Sequence, residues 1–208
     1  MFMRSIALVV SLVAGPLMGL DWNQQKAFDY LETRQQQWAE WKPTQKAGGA
    51  CVSCHTGLSY MIARRVLGEK EPRPLESALV QGVKTRLLSS PQGTMLLDPG
   101  PEAILSLLTL SLQRRGPSDP LDAADQAGMK RLWAAQGGDG VWTWFMHDLH
   151  PVESEHSVFY GATLAEMALS AYPGAAPDRV AAMRRYLKSE FPRQPLHNRL
   201  AYIALSPV

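Results

Sequence analysis

Residues 103–112 read Ala-Ile-Leu-Ser-Leu-Leu-Thr-Leu-Ser-Leu. Any helix built from this run is apolar on every side, apart from small hydroxyl groups. Such a helix belongs inside a bundle of other helices. Residues 161–170, Gly-Ala-Thr-Leu-Ala-Glu-Met-Ala-Leu-Ser, have the same character. Around both runs, apolar residues recur three and four apart, the spacing of helices with one buried face. The pattern predicts helices over 22–40, 53–67, 74–90, 101–115, 120–135, 156–172, 177–190 and 195–206. Pro43, Pro72, Pro91, Pro120, Pro151, Pro173, Pro177 and Pro192 fall at or near the breaks, where a residue without a backbone N–H belongs. Pro173-Gly174 adds turn chemistry to one of them. There is little β signal.

The eight segments form four hairpins. The first member of each is the more polar, as Gln24, Gln25, Lys26, Glu32, Arg34 and Gln35 show. The second is smaller and more apolar. The expected fold is therefore all-α, with outer first helices and inner second helices. Tyr30-Leu31 followed by Gln35, Leu132 followed by Gln136, and Tyr186-Leu187 mark corresponding outer helices, with a weaker copy near Leu87. The unit is roughly 50 residues, which points to stacked α-hairpins.

The 208-residue chain fits one domain, and its small net charge of +2 gives no general attraction to nucleic acid. Arg4, an apolar stretch over 5–15, and Pro16 and Gly19 ahead of Asp21 describe a secretory signal peptide over 1–20. Cleavage is expected near Gly19 or Leu20. A retained anchor is the alternative. Either way the domain, 21–208, is expected outside the cytoplasm, in the periplasm or otherwise exported.

Only two cysteines are present, and they stand in Cys51-Val-Ser-Cys54-His55-Thr56. C-x-x-C-H is the attachment signature of a c-type haem. Thiols three residues apart on a helical turn can each add to one vinyl group of the same porphyrin. His55 then ligates the iron. Gly48 and Gly49 leave the backbone room to pass near a ring. Two other uses of a C-x-x-C fit less well. A thioredoxin-type pair belongs in a βαβ setting, and none is apparent. Zinc needs about four ligands, and no second C-x-x-C exists. One covalent haem c is the expected cofactor, held by Cys51, Cys54 and His55.

The pattern Leu132-x-x-x-Gln136-x-x-x-Gly140-x-Trp142 resembles the QW motif of terpenoid cyclases and the related prenyltransferase-type α/α toroids. With Trp142-Thr-Trp144-Phe145, Pro151-x-Glu153 and Phe159-Tyr-Gly-Ala-Thr-Leu-Ala165, the chain resembles exported bacterial proteins that join this fold to a C-x-x-C-H. The sharp motifs lie in 48–60 and 130–165. The resemblance implies rings of outer and inner helices. It does not imply cyclisation, because the acidic D-x-D-D proton donor of the squalene–hopene type is missing. Four hairpins are fewer than the six of a closed toroid. The expectation is an open, partial α/α toroid, or one that closes as a homodimer.

In such a topology every outer-to-inner connection lies at one rim. The first carries the haem motif and the second carries Met95. The third carries Trp142, Trp144, Met146, His147, His150 and His156, and His197 opens the last helix. Candidates for the second axial iron position are His147, His150, His156 and Met95. A loop histidine is preferred over Met95 or an open position. Trp41, Trp142 and Trp144 are expected to pack at the hairpin mouths, and Glu153 to cap the following helix. The methionines at helical spacing are expected as core filler.

Three functions are in view. The first is a periplasmic electron carrier with a redox partner protein. The second is a haem enzyme or sensor with an open iron site. The third is a module whose hollow holds an apolar small molecule such as a terpenoid or lipid.

Overall fold

The computed structural model describes residues 23–42, 44, 56–66, 68, 73–89, 99–114, 116, 118–150 and 153–206. Among them are eight α-helices: α1 (Gln24–Glu40), α2 (Gly57–Val66), α3 (Pro74–Ser89), α4 (Pro99–Ser111), α5 (Ala123–Ala135), α6 (Ser157–Leu169), α7 (Pro177–Glu190) and α8 (Leu196–Leu205). A 3₁₀ turn, Phe191–Arg193, joins the last two. The described residues contain no strand, only an isolated bridge between Leu149 and Glu153. The protein is all-α.

Local chemistry explains the boundaries. Asn23 caps α1, its side-chain oxygen accepting from the Lys26 N–H at 2.8 Å. Asp122 and Asp125 form a reciprocal capping box at the start of α5. Pro177 opens α7, where its fixed φ suits the first turn. Three helices differ clearly from the pattern-based limits, α5 starting at Ala123 instead of 120 because Asp122 takes the capping position. α4 starts at Pro99 instead of 101, since prolines are tolerated throughout a first turn. It stops at Ser111 instead of 115, tightening into three-residue bonds from Gln113 N–H to Leu110 O and from Arg114 N–H to Ser111 O. The end of α6 tightens in the same way. Tyr172 N–H donates to Leu169 O at 3.0 Å, so the helix ends at Leu169, short of 172.

The helices lie in two layers. Inner α2, α4, α6 and α8 pack in that order, and outer α1, α3 and α5 pack along them. Inner α4 also packs against outer α5, and α6 against α7, so each hairpin seats the next. α4 is buried on every side from Gly100 to Ser111, and α6 is nearly so. Leu58, Met61, Ile104, Leu107, Leu108, Leu132, Phe159, Leu164, Met183 and Leu187 are among the residues of one continuous core. The last inner helix departs from expectation. In α8 only Asn198 is buried, and Leu196, Leu200 and Ile203 are more than half exposed.

Polar joints repeat with the hairpins. Arg64 Nε, near the end of α2, meets Glu76 Oε2 of α3 at 2.8 Å, and Gln113 donates to the same carboxylate. About one repeat later, Arg114 beyond α4 meets Asp125 of α5 at 3.3 Å. Each arginine lies over a tyrosine ring, Arg64 on Tyr60 and Arg114 on Tyr172. Tyr172 also donates its hydroxyl to Asp125 at 2.7 Å. Burial, and then the bond to that carboxylate, push its phenol well above the ordinary range. In the last joint the polarity is reversed. Glu166 of α6 accepts from Arg184 of α7 at 2.9 Å and from Ser206 at 2.8 Å.

The Gln136 region shows how the hairpins lock. The Gln136 amide donates to Gly140 O at 2.7 Å and to Arg179 O at 3.3 Å, tying the end of α5 to the start of α7. Arg179 returns a bond to Trp133 O. Trp142 Nε1 donates to Leu132 O at 2.7 Å. Gly140 adopts φ +91, and a Cβ there would press on Ala182 of α7, so both conformation and space select glycine.

Trp142 and Trp144 are fully packed, as expected for the hairpin mouths. A Cβ on Gly161 would run into the Trp144 indole. Gly161→Ala is therefore expected to destabilise the protein by about 1–3 kcal/mol through overpacking, despite alanine's better helix propensity. Gly116, which has open space around it, serves as the control. Urea midpoints should fall for Gly161→Ala and stay put for Gly116→Ala.

Candidate functional site

Cys51, Cys54 and His55 lie outside the described residues, as do Gly48, Gly49 and Met95. Their flanks are described. In sequence the motif falls between outer α1 and inner α2, and Gly57, two residues after His55, is the first residue of α2. Beside Thr56 is a cleft of about 200 Å³ lined by Arg34, Gln37, Trp38, Trp41 and Thr56. Trp38 and Trp41 form its aromatic wall, with ring centroids 5.3 Å apart. Trp41 is about half exposed, so it walls this cleft without being part of the core. Arg34 and Gln37, hydrogen-bonded at 2.9 Å, supply a charged and polar edge.

The interior behind the cleft is polar where a hairpin core is normally apolar. Gln35 and Phe28 are the buried residues of α1, seven positions apart on one face. Gln35 Oε1, Thr56 Oγ1 and Tyr60 Oη are buried with no hydrogen-bond partner among the described residues. Burial pushes the Tyr60 phenol upward, reinforced by Glu32. Sequence reading placed Gln35 with the solvated residues of α1. The available signal was its register with Phe28. Trp38 was likewise readable only as the partner of Trp41 at i+3.

The remaining candidates sit where the helix order puts them. His147 is exposed and stacks on Phe145 at 5.8 Å. His150 is exposed beside Asp148 at 3.3 Å. His156 is the residue preceding α6 and offers no side-chain cap. Its carbonyl accepts from Asn198 Nδ2 at 3.0 Å, which joins the starts of α6 and α8. His197 is therefore next to a residue bonded to His156. Glu153 does not occupy the capping position. It is buried, and its backbone pairs with that of Leu149 through two hydrogen bonds of 3.0 Å. Among the described residues, no three His, Cys, Asp or Glu side chains gather as a metal site.

No family model matches the chain, and no curated protein or solved structure matches it either.

Proposed function

We propose that the chain is an exported c-type haem protein that passes single electrons to and from a redox partner protein. The observation that carries this is Cys51-Val-Ser-Cys54-His55-Thr56, standing directly before α2 in a chain with no other cysteine. Cys51 and Cys54 would hold the porphyrin by two thioether bonds, and His55 would ligate the iron. The bound haem supplies reversible one-electron exchange.

The neighbouring residues fit such a group. Trp38 and Trp41 offer flat apolar faces, and Arg34 offers a cation for carboxylates at a solvent edge. The chain's own part is to exclude water on the indole side, fix the ligand and set the potential through these neighbours. The second axial ligand is proposed among His147, His150, His156 and Met95, with a loop histidine preferred. The hairpin stack is proposed as an open arc of an α/α toroid that closes, if it closes, as a homodimer. Periplasmic placement follows from reading 1–20 as a signal peptide. Among the described residues no helix is long and apolar enough to cross a membrane.

Optical spectra test the electron-carrier reading. Purified haem-loaded protein is expected to be six-coordinate and low-spin in both oxidation states, and unresponsive to carbon monoxide. A five-coordinate ferrous form that binds carbon monoxide readily contradicts it and makes the protein a haem enzyme or sensor. One feature favours a role for an apolar ligand instead. A groove of about 1180 Å³ between α6, α7 and α8 is lined by apolar residues such as Leu169, Met183 and Tyr202, with Arg184, Arg185 and Lys188 also along it. Co-purifying lipid or terpenoid would support that second reading.

A further inference from the structure

One side of α7 changes character along its length. In its first half, Pro177, Val180 and Ala181 line the groove between α6, α7 and α8 with apolar groups. In its second half, Arg184, Arg185 and Lys188 line the same groove with cations. Pro177, Ala181, Arg184 and Lys188 step by three and four, so one side of the helix carries both parts. From Pro177 to Lys188 that side runs about 16 Å. The apolar part extends beyond α7. Tyr172, Pro173, Gly174 and Ala175 border this groove and also a second cleft of about 450 Å³, which reaches Met129 and Trp133 of α5.

The charge at the other end is not neutralised. Glu166 is the one acid lining the groove, and it already accepts from Arg184 at 2.9 Å and from Ser206 at 2.8 Å. Glu190 pairs with Arg193 at 2.8 Å, and Asp178 lies in the first turn of α7, at the apolar end. Arg185 and Lys188 are exposed and have no ion-pair partner among the described residues. Standing three residues apart, they form a cationic pair, and their methylene stems extend the apolar lining. The direction of this division selects the occupant. An amphipathic helix or a membrane surface is divided across its width, apolar on one side and polar on the other. Here the apolar and cationic parts follow one another along the groove. The matching ligand is an apolar chain with an anionic end.

We propose that the groove between α6, α7 and α8 binds a long-chain carboxylate, its chain lying towards 172–181 and its head between Arg185 and Lys188. The proposal rests on the apolar-ligand reading above and needs no haem. The chain leaves water against Leu169, Val180 and Tyr202. The carboxylate accepts charge-assisted hydrogen bonds from the Arg185 guanidinium and the Lys188 ammonium.

Calorimetric titration of the whole protein tests this, with decanoate, dodecanoate and decanol as probes below their micelle concentrations. One dodecanoate is expected per chain, bound about 4–15-fold more tightly than decanoate for its two further methylenes. Decanoate should bind about 3–10-fold more tightly than decanol through the two cations. The double variant Arg185→Gln, Lys188→Gln should lose that preference and keep the wild-type affinity for decanol. Ile203→Asn should weaken both ligands. These three side chains are exposed, so the fold is not at stake. If wild type binds decanoate and decanol equally, the proposal is overturned and the apolar-ligand reading stands. If no probe binds, both fall. If dodecanoate binds and neither variant changes its affinity, the site lies elsewhere and the proposal is overturned. Binding to phosphatidylglycerol vesicles without binding of any monomeric probe makes this face a membrane contact and also overturns it.

Discussion

Replacing Cys51 and Cys54 together by alanine is expected to abolish covalent haem completely, so that denatured protein separates from all colour. The two thiols are the chain's only cysteines, and no other side chain forms a thioether to a vinyl group. Each single replacement should leave one thioether and a less securely held porphyrin. The check is denaturing electrophoresis stained for haem peroxidase activity. The double variant should show no stained band, and wild type should show one. The hairpin stack itself should keep its helical circular dichroism. Its continuous core includes Leu58 and Met61 of α2 next to the motif, but most of it lies in α3 to α7.

The second large effect is on stability. Glu76→Ala is expected to cost about 3–5 kcal/mol, because it strands a buried guanidinium without its carboxylate. Arg64 and Glu76 are only 2% and 5% exposed, and the same carboxylate also receives Gln113. A loss of that size is a large part of the roughly 5–15 kcal/mol by which a domain is stable. The partner prediction has the opposite sense. Changing Arg64 and Glu76 together to leucine should be close to neutral, since it removes both desolvated charges at once. Chemical denaturation of Arg64→Leu, Glu76→Leu and the double leucine variant forms a cycle that checks the pair. A Glu76→Ala loss below about 1 kcal/mol would place the pair among surface bridges. The analogous Arg114–Asp125 pair joins the next two helices and should behave alike.

Much of the architecture was legible because helices announce themselves twice. Pro120, Pro177 and Pro192 mark breaks, and the apolar spacing marks faces. The runs at 103–112 and 161–170 declared themselves inner helices by leaving no polar face, and α4 and α6 are the most buried elements. Helix α8 was misread for a physical reason. Its apolar residues describe a face but do not say whether a neighbour covers it, and Leu196, Leu200 and Ile203 lie open.

The buried joints were illegible in another way. Arg64 and Glu76 come from different helices, and charges on amphipathic segments read as solvent-facing until packing pairs them. Gln35 sits in a helix crowded with glutamine, where only the seven-residue step from Phe28 marks it as internal. For the candidate site, the helix order correctly placed His147 and His150 in the connection before α6, and His156 and His197 at helix starts. Side-chain direction in a connection carries no periodic signature, so the choice among possible iron ligands does not follow from sequence. Trp142 and Trp144 pack at a hairpin mouth as their place in the α5–α6 connection suggests, and the structure adds that Gly100 and Gly161 make room for them.

The central claim is tested most directly by the intact mass of wild-type protein exported from a host with haem-attachment machinery, measured before and after alkylation under denaturing conditions. The account predicts a mature chain heavier by one haem, with neither Cys51 nor Cys54 taking up the alkylating reagent. A colourless chain of bare polypeptide mass that gains two alkyl groups would contradict it.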